Sequence, residues 1–342
     1  MAQQDPPITV LKQSAIIINW YTGINYALTI VSFFIDSLVV YIIINFTPRS
    51  SVEYRKHLLT VMGVGISTTL YLCLMFQPVT TAPLSCIYAM GLVQSAVHLD
   101  THLSFTIFVC AVALNAPPLA NCFLYRHQCI MMGNSRFKFS ERFLIPARIF
   151  LYLYFLGHGM AVYFMRYPTD GQAKFVDGKL RGFTDEEKSR IACYDMQKFK
   201  IFLIVVCFTC GICLLLIFLI CYHIFRVLHT HQALSEKTRE YHKSMTRSLI
   251  IQSAMIAVNV IGPLFVYFIQ FSFEFRSDAY SLIAFEVIST YSAIFGVLLV
   301  LQTPSYRDGI NAFFKHYRHR DAIEVMSTPK SPSTLTPHVW SG

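Results

Sequence analysis

Charge is scarce in this sequence. Only 14% of the residues are Asp, Glu, Lys or Arg, while 54% are hydrophobic and 15% aromatic. A soluble domain carries about 25% charged residues. A chain of 342 residues so short of charge has more apolar surface than a water-soluble core hides, and a bilayer solvates it instead. Tryptophan is nearly missing, with 2 residues against 29 Phe and 19 Tyr. Met1 to Pro7 is polar and has no basic n-region. The first apolar run is also too long for a signal h-region, so it is expected to remain as a membrane span. The two halves show no internal repeat of the kind many transporters carry, and charges within the apolar runs are too few for an obvious ion path.

The charge that is present is positive, +9 in all. It sits in the short gaps between apolar runs, as in cytoplasmic loops, which argues against a nucleic-acid partner. Apolar runs at 23–46, 57–77, 98–125, 144–165, 200–224, 249–272 and 280–302 are each long enough to cross a bilayer. From Pro83 to Tyr125 the only formal charge is Asp100, so that stretch could hold one span or two. The basic residues decide: with seven spans and an outer amino terminus, 18 of the 28 Lys and Arg face inward, and with eight only 12 do. The expected fold is an all-α membrane protein, a seven-transmembrane helix bundle with an outer N-terminus and a cytoplasmic C-terminus. Residues 1–22 form an outer segment, 23–304 the bundle, 305–322 an amphipathic surface helix and 323–342 a disordered tail. Asn45-Phe46-Thr47 matches a glycan acceptor, but on this topology it lies on the inner side.

Eight of the ten cysteines fall within or at the inner ends of apolar runs and read as small buried hydrophobes, including Cys207-x-x-Cys210-x-x-Cys213. Cys86 and Cys193 fall in outer segments, where the compartment is oxidising, and are expected to pair. Cys193 lies in the longest gap, 166–200, which is expected to form a lid stapled to the start of span three.

Ionisable groups at membrane depth are functional candidates. Asp36 in span one and Glu286 in span seven are expected to neighbour Asn259 of span six, either as a hydrated signalling cluster or as a polar knot that fixes packing. His98-x-Asp100-x-His102 places two histidines on one helical face. With His158 of span four they would offer three zinc ligands, but no positioned carboxylate base accompanies them, so no metal, cofactor or enzymatic activity is expected. An aqueous vestibule and a ligand pocket under the lid both remain open for this group. Pro117-Pro118, Pro146 and Pro263 are expected to kink spans three, four and six.

At the inner face, 225–248 has no Pro or Gly, so spans five and six are expected to extend beyond the membrane as helices. Arg239, Lys243 and Arg247 form one basic stripe there, suited to an acidic partner helix or anionic headgroups. Phe313, Phe314 and Tyr317 against Lys315, Arg318 and Arg320 suggest the surface helix. No Cys follows it to carry a palmitate.

Three groups of residues carry a resemblance that spans nearly the whole chain. They are Phe123-Leu124-Tyr125-Arg126-His127-Gln128; Leu234-Ser235-Glu236-Lys237-Thr238, followed by Gln252 and Pro263; and Thr303-Pro304-Ser305-Tyr306-Arg307. In these the chain resembles the nematode serpentine chemoreceptors of classes H and I. Arg126-His127-Gln128 and Gln77-Pro78 are most similar to class I. The resemblance implies a G-protein-coupled chemoreceptor at the plasma membrane of a sensory neuron or its cilium, with a small-molecule ligand and a heterotrimeric G protein as partners. It makes Arg126, His127, Lys237, Arg239, Lys243, Arg247 and Arg307 the candidate G-protein face. The ligand pocket would draw on His98, Asp100, His102, His158, Asn259 and Glu286. Arg126 stands where rhodopsin-like receptors keep an arginine that locks the inactive state, but Tyr125 replaces the acid before it, and span seven lacks Asn-Pro-x-x-Tyr. That switch does not transfer. A transporter or ligand-gated channel is the alternative.

Overall fold

The computed structural model describes residues 10–11, 14–47, 51–81, 84–131, 135, 137–167, 180–181, 183–230, 235–273 and 278–311. The 323–342 tail and the aromatic–basic stretch of the surface helix lie outside them, as does the side chain of Lys237.

Six continuous or nearly continuous apolar helices and one bent pair run through the chain. Span one is Ala15–Phe46, capped by Ser14, whose hydroxyl accepts from the Ile17 amide. It therefore begins eight residues before the expected start at 23, because apolar Ile16, Ile17 and Trp20 continue the helix outward. Its Ile, Val and Thr are indifferent helix formers in water. In lipid, however, a backbone must satisfy its own hydrogen bonds, and a helix does so within one segment. Span two is Val52–Phe76, span three Thr101–Ile130, span four Glu141–Tyr163, span five Met196–Thr230, span six His242–Ser272 and span seven Tyr280–Gln302. Spans five and six do extend inward: helix runs to Thr230 and resumes at Glu236. Phe34, Phe150, Phe208 and Phe218 on the outside of the bundle are about two-thirds exposed, the surface that lipid covers.

Each break in a helix has a local cause. Span three stops at Ala113 and restarts at Ala116 with Pro117 and Pro118 in its first turn, where their missing N–H groups cost nothing. Asn115 repairs the gap, its Nδ2 donating to the carbonyls of Ala111 and Val112. Span six widens into a π-helical turn, Ala257–Ile261, just ahead of Gly262-Pro263. Span seven bends by 42° at Thr290. There the Ser289 and Thr290 hydroxyls bond back to the carbonyls of Glu286 and Val287 and compete with the helix ladder. Pro146, expected to kink span four, sits six residues into a helix that continues unbroken from Glu141 to Tyr163; so near the N-terminus it removes only one bond.

The uncertain region before span three is not a span. Span two ends at Phe76, and Gln77 caps it in the left-handed region (φ 43°), its N–H donating to the Leu72 carbonyl. The chain then forms strands β2 (Pro78–Thr80) and β3 (Cys86–Ala89) and a short π-helical turn, Val93–Val97. The strand β5 (Ala192–Cys193) adds to β3, so that Cys86 and Cys193 stand opposite each other and are bridged. The staple thus holds a strand well before span three, not its first turn. The strand β1 (Val10–Leu11) pairs with β4 (Leu180–Arg181). All these strands lie at one end of the bundle and make its lid. At the other end the helical segment 304–311 folds back against span one: Tyr306 is buried, its hydroxyl 3.0 Å from Thr47 Oγ1.

Candidate ligand cavity and inner face

Span one packs on spans two and seven, and the polar groups at their junction form a chain. Ser292 donates to Asp36 Oδ2 at 2.8 Å, the Thr69 hydroxyl lies 3.0 Å from Ser292 Oγ, and Thr69 bonds the Ser289 carbonyl. Next to it, Asn115 Nδ2 donates to Thr68 Oγ1, which bonds the Ala111 carbonyl. Spans one, two, three and seven are tied in this knot. Gly65 lets the helices approach: a Cβ there would lie 3.3 Å from Ser292 Cβ.

The expected Asp36–Glu286–Asn259 cluster is not formed. Asn259 bonds the Met255 carbonyl of its own helix. Glu286 faces elsewhere, with both carboxylate oxygens buried and without a hydrogen-bond partner among the described residues. Hydroxyls and the Asn115 amide complete the knot in their place. Ser, Thr and Asn are common in membrane helices, and their spacing alone does not single these out.

His98 and His102 do not share a helical face, because the helix begins at Thr101, between them. His98 is exposed, in the left-handed region (φ 52°), and Asp100 caps span three through the His102 amide. Asp100 also pairs with Arg166. His102 is buried, with Nδ1 3.1 Å from the Tyr194 hydroxyl and Nε2 3.1 Å from the Tyr163 carbonyl. Burial pushes the Tyr194 phenol up from its ordinary value, so it stays protonated. These residues fasten the lid to spans three and four. His158 lies apart, bonded to the Tyr154 carbonyl. No group of three or more His, Cys, Asp or Glu that could hold a metal exists among the described residues.

Under the lid lies a cavity of about 360 Å³ enclosed mainly by spans three, five, six and seven. Thr80, Ile87 and Phe199 form its ceiling, and Phe108, Tyr267 and Phe285 part of its wall. Among the described residues, no Asp, Glu, Lys or Arg lines it. Of the six pocket candidates only His158 is on the wall. Asp100 and His102 are not, because polar partners at the lid hold them; His98 is exposed, and Asn259 and Glu286 are turned away by their helices. The residues missed are aromatic and aliphatic, indistinguishable in sequence from ordinary core. One signal existed: Asn115, two residues before Pro117-Pro118, marks a helix break, which turns a polar side chain to the interior.

The inner end is closed by side chains. Arg126 is buried with its guanidinium 3.7 Å over the Tyr54 ring of span two, and Tyr54 stacks on Tyr125. His127 of span three lies 3.0 Å from His223 of span five, nitrogen to nitrogen. Gln128 holds the connection to span four: Nε2 donates to the Phe137 carbonyl, and Oε1 accepts from the Phe139 amide. In this conformation Arg126 and His127 are therefore interior residues, not the open face expected of them. Burial follows from the aromatic and histidine partners that spans two and five present. Arg247 and Arg307 are exposed, Lys243 is half-buried and Arg239 pairs with Glu236.

Residues 15–310 match a family model described as serpentine type 7TM GPCR chemoreceptor Sri. The match runs from the first residues of span one to the helical segment after span seven. No curated protein matches the chain.

Proposed function

We propose how a chain that belongs to the Sri family of serpentine 7TM GPCR chemoreceptors works: it binds a small molecule in the cavity under its lid and passes the event to a cytoplasmic G protein. The observation that carries the reading is the placement of Asn115. Asn115 lines the cavity, and its side chain, through Thr68, belongs to the knot that joins four spans. A ligand that touches Asn115 acts on the junction of those spans.

The lid end faces outward, where a disulfide persists, and the Arg126 end faces the cytosol. A ligand shifts a conformational equilibrium only by its differential affinity for the two states. The inner end is the part free to change, because side-chain contacts alone hold it. Movement of span six about Ala257–Ile261 and Pro263 would release Arg126 from Tyr54 and open a groove beside Lys243 and Arg247 for a partner helix. Residence in a sensory cilium follows from the same reading.

The test is cue-dependent G-protein activation in a heterologous cell, with Arg126→Ala alongside. Signalling abolished or made constitutive is the expected result. Unchanged signalling removes Arg126 from the mechanism, and a cue-dependent current without any G protein overturns the receptor reading in favour of a channel.

A further inference from the structure

The walls of the cavity say more about its occupant than the family does, on the reading that it is the ligand site. Among the described residues no formal charge faces it, and an ion placed there would lose its hydration without a partner. Asn115 lines it, but its Oδ1, a buried acceptor with no donor, lies toward Gly65 and Ser292 in the knot. Its orientation is fixed, because Nδ2 is committed to the carbonyls of Ala111 and Val112 and to Thr68 Oγ1.

Entry from water is closed. Thr80 and Ile87 in the ceiling are 3% and 4% exposed, and above them Cys86–Cys193 and the β3–β5 pairing seal the lid. The side is different. Thr209 and Leu216 of span five both line the cavity and, seven residues apart, share a helical face. Thr209 is buried, its hydroxyl 2.9 Å from Tyr154 Oη of span four. Two turns further in, Leu216 is 53% exposed to the outside of the bundle, so one residue is at once cavity wall and lipid-facing surface. Leu151, two turns below His158, forms the span-four edge at that depth.

We propose that the cavity takes an uncharged, mainly apolar molecule, which enters from the bilayer between spans four and five past a latch made by Tyr154 and Thr209.

The test uses the full chain in phosphatidylcholine nanodiscs. Its probe is 1-aminoanthracene, an uncharged fluorophore with a single amine donor, beside anthracene-2-carboxylate, which has the same rings and a charge. The amine is expected to bind and the carboxylate not. Tyr154→Phe, whose hydroxyl holds the seam without lining the cavity, should raise association and dissociation rates together by about two- to tenfold with the dissociation constant unchanged. Thr209→Val repeats the rate test should Tyr154→Phe fail to fold, and a retained Cys86–Cys193 bridge reports folding in each variant. The proposal is overturned if the amine does not bind, if the carboxylate binds equally, or if exchange ignores both latch variants and quickens instead in Cys193→Ser. Latch-dependent exchange in a protein that activates no G protein would leave this inference standing and sink the signalling reading; cue-driven signalling with exchange indifferent to the latch would do the reverse.

Discussion

The two ends of the bundle are closed by different means. At the lid end the closure is covalent and main-chain: a disulfide, paired strands, and a backbone approach so tight that a Cβ on Gly91 would lie 2.4 Å from the Met75 carbonyl oxygen. At the inner end it is side-chain throughout: Arg126 on Tyr54, His127 against His223, Tyr306 against Thr47. There too a glycine is crowded, but the Cβ of a residue at Gly309 would meet the ring of Phe46, which can rotate away. A cross-link confines the chain in every state, whereas a cation–π contact is worth about 0.5–2 kcal/mol and exchanges readily. The contrast separates a frame from a switch.

Six substitutions, in four comparisons, would break or sharpen that contrast. The largest effect is expected at the lid. Cys193→Ser opens a loop of 107 residues, and loops near that length carry about 4.7 kcal/mol in the chain-entropy account. Thermal unfolding of purified receptor should show a fall larger than for any single inner-end variant; an equal or smaller fall would erase the distinction. Next comes Gly91→Ala, expected to cost about 1–3 kcal/mol as overpacking against backbone, while Gly309→Ala costs less. Equal losses would mean that the inner end is as stiff as the lid.

Ser292→Ala lies between the two ends. It leaves Asp36 Oδ2 without its donor, and about 1–3 kcal/mol of stability should go with it. Asp36→Asn together with Ser292→Ala should be milder than the sum of the two, because the charge that needed the donor is gone; additive losses would show that the knot is not a unit. The smallest effect on stability, and the most telling for the switch, is expected at Tyr54→Leu. Losing the ring beneath Arg126 should raise ligand-independent G-protein activation several-fold, with unfolding shifted by no more than about 2 kcal/mol. Unchanged basal activity would take Tyr54 out of the lock.

Much of the architecture was legible in the residues because lipid leaves a chain few options. A run that cannot leave its amides unbonded becomes a helix, and basic loops fix which way it points. Hence the spans stand within a few residues of where hydropathy sets them, apart from the capped extension of span one at Ser14 and the inward extensions of spans five and six. Cys86 and Cys193 stood out as the two cysteines beyond the apolar runs, and the structure bridges them. The candidate site was harder to read. His98-x-Asp100-x-His102 looked like one helical face because periodicity carries no mark of where a helix starts; Asp100, as its cap, divides the three residues. Arg126 and His127 looked like a surface because charge at the end of a span normally is one. Tyr54 and His223, distant in sequence, make them interior.

Composition and charge order by themselves determined that this chain crosses the membrane seven times and which gaps are outer, since both follow from the cost of placing polar groups in hydrocarbon. Only the tertiary structure decided which polar residues meet. Asp36 finds Ser292 rather than Asn259, Asn115 lines a cavity, and Glu286 faces no partner among the described residues. These choices turn on helix breaks and rotations of a fraction of a turn, to which a pattern repeating every 3.6 residues is blind.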